Sequence, residues 1–216
     1  MPGAKTNRIG LWGGSFNPPT LAHKKLADFA FAALALDEMH WIVTPQNPEK
    51  DPATLAPFEH RFQMVSEVIA DNPGMKADDV EQKLGSSHTI NTVRALRREY
   101  PDDHLYFLMG ADNWMGFHNW GKDYAEILDY VSIAVMYRPG YKRLEEAQAT
   151  AIFADIIVRT PQDLQAKKTI CFIENPMIDM AATQVRQALA RGETPNQISA
   201  QTLNYIRYHR LYGMAS

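Results

Sequence analysis

The sequence predicts an α/β fold, in which a doubly wound parallel sheet carries a C-terminal helical extension. Short apolar runs alternate along the chain with segments whose apolar residues recur at helical spacing, as in βαβ units. Two runs, residues 105–110 and 132–137, are almost continuously apolar, which is typical of strands buried on both faces. Because there is no internal repeat and no Gly/Ser-rich linker, we expect one domain over residues 1–216, with a core at about 8–176 and the helical part at about 177–216.

Each element is predicted from a local pattern. Strands are predicted at residues 8–12, 38–44, 104–110, 132–137 and 169–175, where apolar residues form short runs. Helices are predicted at residues 20–36, 58–71 and 87–103, and the second ends at the stop signal Asn72-Pro73-Gly74. Two further helices are predicted within residues 183–213, on either side of residues 192–196.

Composition narrows the class of protein. The net charge of −3 provides no electrostatic footprint for nucleic acid or an anionic membrane, so we expect neither as a partner. The single cysteine, Cys171, lies in an apolar run and is predicted to be a buried thiol in a reducing compartment. The first ten residues contain no long apolar run, and no run approaches 18 apolar residues, so a cytoplasmic protein is expected. The seven histidines lack the paired spacing of a zinc site, and no metal-ligand set is predicted.

Glycine and polar residues follow four of the predicted strands. In a parallel α/β sheet, ligands bind at the carboxyl ends of the strands. The residues there are Gly13, Gly14, Ser15, Asn17, Thr20 and His23 after the first strand, Asn47 and Lys50 after the second, Asp112, Asn113, Trp114 and Trp120 after the third, and Thr183 and Arg186 after the last. Glycines that precede a helix N-terminus favour a phosphate ligand. The chain contains neither G-x-G-x-x-G nor a Walker A loop, which argues against a dehydrogenase of the Rossmann type.

Thr20 and His23 stand three residues apart at the start of the first predicted helix. At that spacing the hydroxyl and the imidazole share one helical face, and both could donate to phosphate oxygens. Helix capping remains the alternative for Thr20, and a surface or capping role remains the alternative for His23.

The segment GGSFNPPTLAH resembles the G-G-[ST]-F-[DN]-P-x-[HT]-x-G-H signature of the nucleotidylyltransferase superfamily. Five further segments resemble motifs of bacterial nicotinate-mononucleotide adenylyltransferases, in the same order, from about residue 9 to the end of the chain. They are VTPQNPEK, HRFQM, SSHTINT, FLMGADNW with FHNW, and IDMAATQVRQAL. The resemblance implies a Rossmann-like nucleotidylyltransferase fold and the transfer of AMP from ATP to nicotinate mononucleotide, which yields deamido-NAD and pyrophosphate in NAD biosynthesis.

The resemblance also implies roles for individual residues. The catalytic set is His23, Thr20 and Arg186; the ATP and phosphate set is Gly13, Gly14, Ser15, Phe16, Lys50, Gly110, Asp112 and Thr183; the mononucleotide set is Asn47, Thr89, Trp120 and His88. Trp120 is expected to stack on the nicotinate ring and Thr89 to receive its carboxylate. A Mg²⁺ ion is expected to bridge the ATP phosphates, mainly through water and substrate oxygens.

Two departures from these motifs keep alternatives open. Ala22 replaces a usual glycine and Ala181 replaces a serine. The acceptor could instead be nicotinamide mononucleotide, phosphopantetheine or an alcohol phosphate, and a nucleotide-binding regulator without turnover is a second alternative.

The roles of two further side chains also stay open. Arg61 could contact a ligand or form a buried structural ion, and Trp120 could serve packing alone. A homo-oligomer is compatible with the sequence.

Overall fold

The computed structural model describes residues 5–46, 54–121, 124–140, 147–178 and 182–213. The predicted site residues Asn47 and Lys50 and the departure at Ala181 lie outside these ranges.

Seven parallel strands form one sheet in the order β3-β2-β1-β4-β5-β7-β6. The strands are β1 (Arg8–Gly14), β2 (Glu38–Val43), β3 (Met75–Asp78), β4 (His104–Gly110), β5 (Ser132–Met136), β6 (Ile157–Val158) and β7 (Ile170–Ile173). The predicted parallel α/β sheet is therefore confirmed. Sequence reasoning missed β3 and β6, because both are short edge strands without an apolar run.

Eight α-helices accompany the strands within the described ranges. They are α1 (Leu21–Ala33), α2 (Phe58–Val68), α3 (Val80–Leu84), α4 (Thr89–Glu99), α5 (Ala111–Gly116), α6 (Gln148–Ile152), α7 (Ala182–Ala190) and α8 (Ala200–Tyr208). Helix α1 ends three residues before its predicted end, since Ala35 takes a φ of +48° and the Asp37 N–H then bonds to the Arg8 carbonyl. None of these helices is long and apolar enough to cross a membrane.

Two apolar clusters cover the two faces of the sheet. Successive residues of β4 alternate between them: Leu105 and Phe107 belong to one, and Tyr106 and Leu108 to the other. The sheet is thus covered on both faces, as the apolar runs predict. A third cluster joins α7 and α8 to Met64 of α2, so the C-terminal helices pack against the helix that follows β2.

The predicted burial of the single thiol is confirmed. Cys171 lies inside the sheet, and burial raises the pKa of its thiol to about 11. Trp114, in α5, is also buried and donates from Nε1 to the Thr150 hydroxyl at 2.9 Å, so it serves packing.

A charged cluster lies between β2 and β3. Both ring nitrogens of buried His40 are 2.7 Å from a carboxylate oxygen, Nδ1 from Asp78 and Nε2 from Glu38. Burial alone would raise the pKa of Asp78, but the hydrogen bond from His40 and its charge hold that pKa below 3.8. Burial would likewise raise the pKa of Glu38, but Lys76 and His40 hold it below 4.5. The ion pairs and hydrogen bonds of this cluster therefore link β2 to the edge strand β3.

Replacement of His40 by leucine is expected to lower the free energy of unfolding at pH 7 by about 3 kcal/mol, because it removes from two carboxylates the buried partner that they share. In the folded wild type the pKa values of Glu38 and Asp78 lie below their unfolded values of 4.5 and 3.8. The ionised carboxylates therefore stabilise the fold above those pH values, and this contribution is lost as the pH falls below them. The difference in the free energy of unfolding between variant and wild type, measured by urea unfolding, should therefore become smaller below about pH 4. A difference that stayed constant with pH would contradict this expectation. Exposed His209→Leu is the control.

Candidate active site

The loop between β1 and α1 forms the centre of the predicted site. At Gly13 an added Cβ would meet no atom within 4 Å, so the end of β1 is open to a close ligand. At Gly14 a Cβ would lie 3.0 Å from the ring of Phe16. That ring reaches back over the strand because Phe16 takes a φ of +43°. The backbone at Gly13 is thus presented at the carboxyl edge of the sheet.

Thr20 and His23 form a capping box at the start of α1. The Thr20 N–H donates to His23 Nδ1 at 3.0 Å, and the Thr20 hydroxyl lies 2.7 Å from the same nitrogen. Because the backbone N–H can only donate, Nδ1 must accept, and this tautomer carries its proton on Nε2. The cap therefore presents His23 as an Nε2–H donor, as a phosphate contact requires.

Two side chains of this loop face the protein rather than the open strand end. Thr20 is buried and its hydroxyl lies against His23 Nδ1, so it holds His23, and its direct contact with phosphate stays a prediction. The Phe16 side chain is buried against Trp12, Trp41 and His23, with ring centroids 5.1–5.8 Å apart, and only its backbone can face a nucleotide. Ser15 is likewise buried, and its carbonyl accepts from Arg61 at 2.7 Å.

Helix α7 brings the predicted C-terminal residues to the same loop. Arg186 Nη1 donates to the Asn17 carbonyl at 2.9 Å, and Nη2 donates to the exposed Thr183 hydroxyl at 3.2 Å. The Asn17 side chain in turn bonds to the backbone of residues 54 and 56. The structure therefore unites Arg186 and Thr183 with the β1–α1 loop, although 169 residues separate Arg186 from Asn17 in the chain.

The end of β4 carries a second charged group that sequence reasoning found only in part. Asp112 forms an ion pair with Arg138, which follows β5. An added Cβ at Gly110 would collide with the Asp112 carboxylate, so any other residue there would displace this ion pair at the strand end. The other carboxylate oxygen, Oδ1, is buried and has no hydrogen-bond partner among the described residues. Arg138 was missed, although it is a cation that closely follows an apolar strand.

The three predicted mononucleotide residues that the structure describes lie at the same edge. His88 precedes α4 and Thr89 begins it, at the carboxyl end of β3. Trp120 follows β4 and is half-buried, with its ring edge-on to Phe117 at 5.4 Å. Its partial exposure is compatible with both stacking on a ligand and packing.

Known proteins resemble this chain over most of its length. The cytidylyltransferase-like family matches residues 11–188. A "Probable nicotinate-nucleotide adenylyltransferase" of Ruegeria pomeroyi is 35% identical over 204 residues, which cover 88% of this chain and 93% of that protein. The chain belongs to the nicotinate-nucleotide adenylyltransferase family. A Rhizobium meliloti protein of the same description is 46% identical over 132 residues, which are 61% of this chain and 69% of that one.

A solved structure shows the same fold. Nicotinic acid mononucleotide adenylyltransferase of Plasmodium falciparum, complexed with NaAD, superposes with a TM-score of 0.76 at 19% identity. The superposition covers 97% of this chain and 98% of that one. The Rossmann-like nucleotidylyltransferase fold implied by the sequence is therefore confirmed.

Arg61 has a structural role in this member of the nicotinate-nucleotide adenylyltransferase family. Its guanidinium is buried and donates to four backbone carbonyls at 2.7–2.9 Å; the acceptors are Ser15, Thr44, Pro45 and Ala56. These carbonyls belong to the loop after β1 and the segment after β2. Of the two roles left open by the sequence, the buried structural ion is therefore the one observed.

The described part of this adenylyltransferase-family chain contains no group of three His, Cys, Asp or Glu side chains that could hold a metal ion. Asp112 faces Arg138, and the remaining buried carboxyl near the edge, Glu81, keeps a raised pKa because of its burial. Neither carboxyl is arranged as part of a cation cage.

Proposed function

We propose that this protein transfers the adenylyl group of ATP to nicotinate mononucleotide, with release of pyrophosphate, in NAD biosynthesis. The observation that carries the proposal is the meeting of His23 and Arg186 at the β1–α1 loop, beside the open backbone of Gly13. Likeness to nicotinate-nucleotide adenylyltransferases across 93% of a relative's length supports the substrates. The phosphate donors and the fold thus favour nucleotidyl transfer over redox chemistry.

The reaction needs positioning and charge stabilisation more than a protein nucleophile. A phosphate oxygen of the mononucleotide attacks the α-phosphorus of ATP in line, a new P–O bond forms, and the bond to the β-phosphate breaks. His23 Nε2–H donates to the phosphate oxygens as their negative charge grows. Arg186 and the first backbone N–H groups of α7 hold the leaving pyrophosphate, for which the planar guanidinium is suited.

Mg²⁺ enters this scheme with ATP as part of the substrate. The carboxyls near the sheet edge are already engaged or buried, which fits an ion held by phosphate oxygens and water rather than by a protein cage. The ion supplies neutralisation of the phosphate charge. Asp112 and Arg138 are then available to position the nucleotide, and Thr89 and Trp120 to position the pyridine.

Pyrophosphate release tests this function directly. The protein is incubated with ATP, Mg²⁺ and either nicotinate mononucleotide or its amide. Release with the acid and little with the amide is expected, because the N-terminus of α4 favours a carboxylate. Equal rates would contradict the acid preference. Binding of ATP without release would favour the regulator, and Ala22→Gly would then be the first reversion made.

Substitution of Arg186 by lysine is expected to raise the KM for ATP about tenfold. The lysine ammonium is a point charge, whereas the planar guanidinium of arginine can donate to the Asn17 carbonyl and to phosphate at the same time. The KM for the mononucleotide should change by less than about twofold, since Arg186 contacts the other substrate. Arg191→Lys, at the exposed end of the same helix segment, is the control. An unchanged KM for ATP would exclude the phosphate role.

A homo-oligomer and a cytoplasmic location remain predictions. The buried single thiol agrees with a reducing compartment.

A further inference from the structure

A buried carboxyl group lies behind the predicted mononucleotide residues. Glu81, in α3, is 6% exposed. Its Oε1 accepts from the Thr92 hydroxyl at 3.2 Å, whereas its buried Oε2 has no partner with hydrogen-bond geometry in the described part of the chain. The mechanism above makes no use of this side chain. A buried carboxyl group with one oxygen lacking a hydrogen bond destabilises the folded state, so its presence here needs a physical explanation.

Glu81 connects three segments of the site. The hydroxyls that interact with its carboxyl come from Thr44 after β2, Ser87 before α4 and Thr92 in the first turn of α4. Thr92 is three residues from Thr89, so the carboxyl braces the turn that begins with Thr89. Helix α4 lacks a side-chain cap at His88, and Glu81 provides support from below the turn.

The charge of this group matters for an anionic ligand. Burial raises the pKa of Glu81, and Asp78 of β3 raises it further, while the hydroxyls of Thr44, Thr92 and Ser87 lower it. Asp78 is itself bonded to His40 and to the Val80 N–H. A protonated Glu81 leaves the base of the α4 turn without negative charge. An ionised Glu81 would repel a carboxylate placed at Thr89, whereas a carboxamide there would be little affected.

We propose that Glu81 is a positioning residue of the mononucleotide pocket, which fastens the first turn of α4 to the end of β2 and thereby sets the preference for the acid over the amide mononucleotide. The proposal rests on the proposed function. It assigns the discrimination to a residue that does not touch the substrate. Thr89 and the backbone N–H groups of the turn make the contact, and Glu81 keeps them in place.

The test compares Glu81→Ala and Glu81→Gln with the wild type, with exposed Glu99→Gln on α4 as the control. The KM values for ATP and for both mononucleotides are measured between about pH 6 and about pH 9. Glu81→Ala is expected to raise the KM for the acid about tenfold, the effect of one lost positioning hydrogen bond. The KM values for ATP and the amide should change less than about twofold. Glu81→Gln should restore the acid KM, because its amide is neutral and its oxygen can accept from Thr92.

Selectivity among the three KM values separates positioning from simple structural support. Equal rises in all three KM values for Glu81→Ala, without rescue by glutamine, would overturn the proposal.

Amide hydrogen exchange of residues 86–92, measured without substrates, keeps the test independent of the proposed function. Faster exchange in Glu81→Ala but not in Glu81→Gln supports the positioning role even if the wild type turns over neither mononucleotide. Unchanged exchange in Glu81→Ala overturns that role even if the enzyme is active.

Discussion

Replacement of His23 by alanine is expected to lower kcat about 10²–10³-fold, the scale for the loss of one oriented donor to developing charge. The effect is large because the capping box leaves no freedom in the ring: Nδ1 accepts from the Thr20 N–H, and the remaining proton is on Nε2. The donor is therefore oriented before the substrate binds. Alanine removes the donor and offers no replacement.

The fold should survive this change. His23 is half-buried, and the Thr20 hydroxyl still accepts from the backbone N–H of residue 23. The loss of the reciprocal half of the capping box should cost about 1 kcal/mol of helix stability. Single-turnover pyrophosphate release, with thermal unfolding alongside, measures both effects, and exposed His209→Ala is the control. A kcat within about threefold of the wild type would refute the phosphate role of His23.

A double-mutant cycle decides what Thr20 does. If Thr20 acts only by holding His23, Thr20→Val should lower kcat about tenfold in the wild type and have little effect in the His23→Ala background. If Thr20 instead touches phosphate, the two losses should multiply. The hydrogen bond between Thr20 and His23 Nδ1 leads us to expect the first result.

Replacement of Arg61 by methionine is expected to lower the free energy of unfolding by about 3–5 kcal/mol. The side chain is buried, and its loss leaves the carbonyls of Ser15, Thr44, Pro45 and Ala56 without this donor. Burial lowers the pKa of Arg61, yet a guanidinium remains charged. Methionine fills much of the volume, so the expected cost comes from the carbonyls rather than from a cavity.

Urea unfolding measures this effect, with exposed Arg98→Met expected within about 0.5 kcal/mol of the wild type. Arg61→Lys should fall between the two, because an ammonium offers three donors without the planar fork that reaches four carbonyls. A lysine variant as stable as the wild type would show that charge, and not the fork, holds the loops. Activity of the methionine variant below its unfolding transition should also fall, since Ser15 lies in the β1–α1 loop.

The central strands could be predicted because each is long enough to show its own pattern. Residues 104–110 and 132–136 are apolar at nearly every position, and both form inner strands. The edge strands β3 and β6 could not be predicted, because Met75–Asp78 reads as a polar turn and Ile157–Val158 is only two residues long. Their pairing is decided by the neighbouring strand, which supplies hydrogen bonds that no local pattern records.

The residues of the candidate site likewise fall into those that the sequence could indicate and those that it could not. Gly13, His23, Thr183 and Arg186 could be proposed as site residues because each follows an apolar strand or lies near the start of a helix. The sequence could not decide whether Thr20 contacts phosphate or His23, because a hydroxyl looks the same in a sequence whether it faces solvent or a neighbouring imidazole. Arg138 stood at a strand end but lacked a partner until Asp112 was seen beside it. Glu81 gave no signal at all, because an acidic residue in a short helix is ordinarily exposed.

By itself the sequence determined the parallel sheet and the family, and it predicted a phosphate site at one edge, since these depend on residue type and spacing along one segment at a time. Tertiary structure alone decided which polar groups meet: Arg61 with four carbonyls, Arg186 with Asn17, and Glu81 with Thr92. The physical reason is that a hydrogen bond or an ion pair depends on distances of a few ångströms between residues far apart in the chain. Such distances are set by the packing of the whole sheet and its helices.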